Sequence, residues 1–208
     1  INKALEYEEY IVPQTYINIG TAFDNKGNSE KAIEYYDLGL KRFPTNGSIL
    51  FNKAITLQNE EKYDEAIKLY QHILDILPCH ASTHLRLGIL AAYEGHLTQA
   101  TLSLLTFLLM EPESDRSLQV VSYLDGILSR PSSDSIATKN PFFYEDDFSD
   151  IDLILTNGLA MSEKYKVPSK YDFAIIKQSH AILEQLKLDK KSNGFWMKFY
   201  VPFYIKLF

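Results

Sequence analysis

Apolar positions recur at helical intervals over much of the chain, and long runs of them lie in its C-terminal half. Over 115–130, DRSLQVVSYLDGILSR, Leu118, Val121, Leu124 and Leu128 fall three or four residues apart, the spacing of a helix. Over 170–188, Tyr171, Ile175, Ile182 and Leu186 mark the buried face of another helix, with Lys177 and Gln178 on its outer side. Further helices are expected over 150–164 and 194–207. Ser149 with Asp152, and Ser169 with Asp172, have the S-x-x-D spacing that caps a helix N-terminus. Residues 131–147 begin PSSDSIATKN, polar and serine-rich, and read as a loop.

In the N-terminal half the pattern repeats. Pro44, Pro78 and Pro112 are 34 residues apart. The same interval relates Gly20, Ala54 and Gly88, then Ala32, Ala66 and Ala100, then Tyr36, Tyr70 and Leu104, then Gly39, Ile73 and Phe107. The first unit reads Tyr16, Ile19-Gly20, Phe23, Ala32, Tyr36, Gly39, Pro44. The second reads Leu50, Lys53-Ala54, Leu57, Ala66, Tyr70, Ile73, Pro78, and the third His84, Leu87-Gly88, Ala91, Ala100, Leu104, Phe107, Pro112. Lys53 departs most from the pattern, and His84 next. On these positions the chain resembles the tetratricopeptide repeat family over 13–114, in repeats 13–46, 47–80 and 81–114.

The resemblance implies an all-α fold, an α-α superhelix of three helix-turn-helix repeats. Paired small residues let the two helices of a repeat approach closely. Proline ends the second helix, because it lacks an N–H and clashes with the preceding turn. Each pair buries its apolar face only against its neighbours. Residues 1–12 would be a partial helix, 115–130 a capping helix, and 148–208 a helical block packed on the repeats.

In this family the first helix of each repeat lines a concave face. Here that face would carry Ile17, Asn18, Thr21 and Asn25, then Phe51, Asn52, Ile55 and Asn59, then Leu85, Arg86, Ile89 and Tyr93. Phe51, Ile55, Leu85 and Ile89 make an apolar stripe edged by Asn18, Asn52, Asn59, Arg86 and Tyr93. Asparagine both donates to and accepts from a peptide backbone, and arginine grips a carboxylate with two parallel bonds. The alternative for the asparagines is a solvated helix face, and for Phe51 and Leu85 it is packing between repeats. Asn52 and Arg86 coincide with two positions of the carboxylate clamp of chaperone-binding members. Ile17, Thr21 and Ser82 do not match its other positions.

The outer helices differ. That of the first repeat carries Lys31, Glu34, Asp37, Lys41 and Arg42, and that of the second Asp64, Glu65, Lys68 and Asp75. The third, LTQATLSLLTFLLM over 97–110, has no charge, as expected of a helix buried on more than one side. The C-terminal block is expected to cover it. The final segment, FWMKFYVPFYIKLF, holds seven aromatics, with Lys198 and Lys206 as its only charges. It is a core helix, the start of a further helical layer, or an anchor for a partner or membrane surface. Pro202 would kink it or begin a helix.

Composition narrows the function. The chain of 208 residues carries a net charge of −6, which argues against a general nucleic-acid binder. One cysteine, Cys79, forms no internal disulfide, in keeping with a reducing, cytoplasmic location. No apolar run reaches the ~18–20 residues of a membrane span. The chain begins at Ile1, so its native N-terminus is expected upstream. Cys79, His80 and His84 lack the ligand spacing of a zinc site. Glu145, Asp146, Asp147, Asp150 and Asp152 read as a solvated helix start and lack calcium-loop spacing. No nucleophile or phosphate-loop motif is present, so no enzyme activity and no cofactor is expected.

The expected function is a scaffold, of bacterial style, that holds an unidentified protein or peptide in the groove. The alternative is a recruiting or regulatory segment of a larger enzyme or secretion machine. A third possibility has the aromatic C-terminal helix lying in the chain's own groove.

Overall fold

The structure, a computed structural model, describes residues 12–129, 146–170 and 173–208. They form helices joined by short turns, with no strand among the described residues. The chain divides into two compact units between Thr83 and His84. The expected helix before residue 12, the loop over 131–145 with Glu145, and Tyr171 and Asp172 lie outside the described residues.

The first unit holds two consecutive helix pairs. They are α1 (Pro13–Asp24) with α2 (Ser29–Arg42), and α3 (Gly47–Asn59) with α4 (Tyr63–Ile76). Local chemistry sets their starts. Asn28 and Asn46 are N-caps whose side chains accept the Lys31 and Ile49 amides. Within the first pair the 34-residue positions meet. A Cβ added at Gly20 would collide with the ring of Tyr36, which is fully buried. The partner that needs the small residue is therefore the tyrosine four residues beyond Ala32. Tyr16, Ile17, Ala32, Tyr36 and Ile49 form a core cluster, with Phe23, Leu40 and Phe43 packed against it. Lys53, the odd residue in the pattern, forms an ion pair with Asp37 at 2.6 Å, which explains a charge where the repeat prefers an apolar side chain.

The second unit continues α5 (Ala81–Tyr93) and adds α6 (Leu97–Met110) and α7 (Asp115–Ser129). Gly88 faces Leu104, whose Cγ would lie 2.7 Å from an added Cβ. This is the Gly20–Tyr36 contact one repeat pattern later. Four further elements follow. They are α8 (Ser149–Thr156), a 3-10 turn (Leu159–Met161), α9 (Ala174–Gln185) and α10 (Phe195–Leu207).

The charge-free helix α6 is buried over nearly its whole surface, from Leu97 to Phe107. Its partners are α7, α8 and α10. Trp196 donates its indole N–H to the Ser103 hydroxyl at 3.4 Å, and the Tyr204 hydroxyl donates to the Leu102 carbonyl at 2.9 Å. His84, in the repeat's large position, is fully buried with Nδ1 2.7 Å from the Tyr200 hydroxyl. Burial holds the phenols of Tyr200 and Tyr204 above their ordinary range. The polar positions of α6 thus bond to the helix that covers it. The C-terminal segment is core on the side of Trp196, Met197, Tyr200, Val201 and Tyr204, and it runs through Pro202 as one helix. Its other side exposes Phe203, Ile205 and Leu207.

Several expectations change here. The helix expected over 150–164 stops at Thr156, because Gly158 takes the left-handed conformation, φ 62°, that ends a helix. Ser149 is not its N-cap. Asp147 accepts both the Ser149 amide and hydroxyl, and Phe148 holds the cap position. Neither is Ser169 a cap, since α9 begins at Ala174 after Phe173. Lys177 and Gln178 are buried, not outside. Gln178 donates its amide to the Leu128 and Leu155 carbonyls at 3.2 and 3.3 Å, joining the last turns of α7 and α8. In α7 the buried stripe is Ser117, Val120, Leu124 and Leu128, while Leu118 and Val121 face outward.

The acids of 146–152 are not simply a solvated helix start. Asp146 is buried and accepts the Ser192 hydroxyl at 2.5 Å and the Met197 amide at 3.0 Å, capping α10 from a distance. Asp152 accepts the Thr98 amide at 2.8 Å and its hydroxyl at 2.5 Å, capping α6 in the same way. Both carboxylates meet the unsatisfied N–H groups of a helix start. Among the described residues no helix is long and apolar enough to cross a membrane.

Candidate partner-binding face

In the first unit, α1 and α3 carry five of the residues predicted to contact a partner. Asn18 and Asn59 are exposed, and Phe51, Asn52 and Ile55 are half-buried. The Asn18 side-chain oxygen accepts from Gln14 Nε2 at 2.7 Å. Asn52 donates Nδ2 to the Ser48 carbonyl one turn earlier, at 2.8 Å. These bonds hold the two amides to their own helices. The Phe51 ring packs 6.0 Å from that of Tyr70 and edge-on to His80 at 5.1 Å. Much of its apolar surface is therefore committed to packing inside the unit.

The second unit offers more. Leu85 and Ile89, four apart on α5, line one wall of a hollow of about 260 Å3. The opposite wall is Arg116, Gln119, Val120 and Tyr123 of α7. Val120 is buried at its base, and Arg116, Gln119 and Tyr123 are exposed at its rim. Arg116 is held in place. Its Nε donates to Glu111 Oε2 at 3.2 Å, a terminal nitrogen meets Glu111 Oε1, and the guanidinium lies 5.2 Å from the Phe107 ring centre. Partial burial raises the Tyr123 phenol above its ordinary range, so it is a neutral donor and acceptor at physiological pH.

Of the predicted residues in this unit, Leu85 and Ile89 line the hollow. Arg86 is half-buried on the same helix, and Tyr93 is exposed near its end, both outside the lining. The wall from α7 was missed, although a signal was present. Arg116, Gln119, Val120 and Tyr123 lie 34 residues after Ser82, Leu85, Arg86 and Ile89. The capping helix therefore repeats the inner-face positions of a fourth first helix. Cys79 is an exposed free thiol, and His80 and His84 are engaged with Thr83 and Tyr200. Among the described residues no group of three metal-ligating side chains converges.

Comparison with known proteins agrees with the helix pairs. Residues 13–46 and 47–78 match the family described as tetratricopeptide repeat. The chain is also similar to the Protein CTR9 homolog of Arabidopsis thaliana, at 25% identity over 128 residues. That alignment covers 61% of this chain and 11% of the plant protein, so the chain spans about a tenth of the length of this curated relative. The relative is a plant protein and lends nothing to the expectation of a bacterial style.

Proposed function

This chain is a tetratricopeptide repeat protein, and from that premise we propose that it binds a partner protein or peptide on the inner faces of its repeat helices. The observation that carries this reading is the hollow walled by Leu85 and Ile89 on one side and Val120 and Tyr123 on the other. It is open and largely apolar, and a braced arginine stands at its edge. In the first unit Asn18, Phe51, Asn52, Ile55 and Asn59 are the corresponding contacts in this reading, with the exposed Asn18 and Asn59 the most available. A net charge of −6 favours a protein partner over a nucleic acid.

The test is selection of a display library of random twelve-residue peptides on the full 208-residue chain. Enriched peptides are expected to lose at least tenfold in affinity, about 1.4 kcal/mol, on the Leu85→Ser and Tyr123→Ser variants. The urea midpoint of Tyr123→Ser should stay near that of the parent chain, because the side chain is partly exposed. Peptides that bind both variants as well as the parent would show that this face is not the binding surface.

A further inference from the structure

The size of the hollow limits what it can take. At about 260 Å3 it is smaller than the ~300–1,000 Å3 of sites that enclose a small molecule. It has room for one large side chain. Leu85, Ile89 and Val120 present aliphatic surface inside it, and burying a Leu- or Phe-sized side chain against such surface yields about 1.5–3 kcal/mol. The rim is polar. Gln119 and the Tyr123 hydroxyl can donate to and accept from a backbone crossing the hollow, and Arg116 keeps N–H groups beyond those used on Glu111.

Arg86 supplies an independent observation. It follows Leu85 and precedes Ile89 by three residues, so it stands on the flank of the same face. The side chain is half-buried, and no hydrogen bond or ion pair to a described residue holds its guanidinium. Its position contrasts with that of Arg116, which Glu111 already neutralises. A partly desolvated cation without a counter-charge is unfavourable until an anion arrives. The planar guanidinium fits a carboxylate with two parallel bonds.

We propose that this face takes an acidic peptide, with one large apolar side chain seated between α5 and α7 and an adjacent Asp or Glu paired to Arg86. The proposal rests on the binding reading above and adds the chemistry of the ligand. Aliphatic surface sets the anchor, and the free guanidinium sets the sign of the neighbouring charge. Because the pairing is charge-assisted and only half-buried, binding weakens as salt rises.

The experiment uses the peptides enriched by the twelve-residue library, made synthetically and titrated against the full chain. A large apolar residue beside Asp or Glu is the expected common feature. Changing that apolar residue to alanine should weaken binding about tenfold. Changing the acid to its amide should weaken it about fivefold on the parent chain and on Arg86→Lys, and leave it unchanged on Arg86→Gln. The urea midpoint of each variant confirms that it is folded. Peptides that need Leu85 and Tyr123 but show no acid preference, or an acid preference that survives Arg86→Gln, would overturn this inference alone. Peptides indifferent to Leu85 and Tyr123, or no enrichment at all, would overturn the binding reading with it.

Discussion

Trp196→Ala is expected to destabilise the second unit by about 3–5 kcal/mol, the usual cost of deleting a large aromatic from a packed core. The indole is 1% exposed, stacks near Tyr200 with ring centres 6.3 Å apart, and donates to the Ser103 hydroxyl. Deleting it opens a cavity and strands a buried hydroxyl on α6, which adds a desolvation penalty to the lost packing. Phe203→Ala, on the same helix, removes a side chain that is 45% exposed and should cost less than about 1 kcal/mol. Urea unfolding followed by circular dichroism reads both. Equal losses in the two variants would mean that α10 does not dock on α6 through its Trp196 side.

The second large effect is a pair of opposed pH dependences at the start of α6. His96 is buried at the N-cap of that helix, and burial lowers its pKa to about 4 from an ordinary 6.5. The unfolded chain takes up this proton first, so His96 removes stability as the pH falls from about 6.5 to about 4. Asp152, two positions along at Thr98, behaves in the opposite way. Burial raises its pKa to about 6 from an ordinary 3.8, against the lowering pull of the Thr98 hydrogen bonds. The folded chain takes up that proton first. The stability contributed by Asp152 is therefore complete below about 3.8 and lost as the pH rises through about 6.

Each contribution is on the order of 2–3 kcal/mol when complete. In the parent chain they largely cancel. Asp152→Asn keeps a side-chain oxygen for the Thr98 donors and removes the titration, so this variant should weaken as the pH falls from 6.5 to 4. His96→Gln should strengthen over the same range, each relative to the parent. The other carboxylates are common to all three proteins and drop out of the comparison. Urea midpoints at several pH values read the effect, and two variants that track the parent would contradict it.

The repeated half was legible because its signals are local. Positions such as Gly20 with Tyr36 and Gly88 with Leu104 are fixed by the two helices of one pair, and the 34-residue interval repeats that constraint. The absence of charge from α6 also announced burial on several sides, which α7, α8 and α10 supply. The C-terminal elements were less legible, since their polar residues are satisfied at long range. Asp152 and Thr98 are 54 residues apart, and Gln178 bonds to carbonyls 50 and 23 residues away. From the sequence these look like a capping box and an outward amide. Nothing local distinguishes an acid that caps its own helix from one that caps a distant helix.

The binding face was half legible for a related reason. Leu85 and Ile89 sit at repeat positions and were identified from them. The facing wall belongs to α7, whose visible apolar spacing of Leu118 and Val121 pointed to the wrong side. Arg116, Gln119, Val120 and Tyr123 carry the repeat interval in residue position but not in residue type.

The most direct test of the binding account is methyl-labelled NMR of the full chain titrated with a library-selected peptide. The account predicts that the methyl groups of Leu85, Ile89 and Val120 shift together and saturate at the affinity measured in solution. Shifts at Ile205 and Leu207 on the outer side of α10, with Leu85, Ile89 and Val120 unmoved, would contradict it.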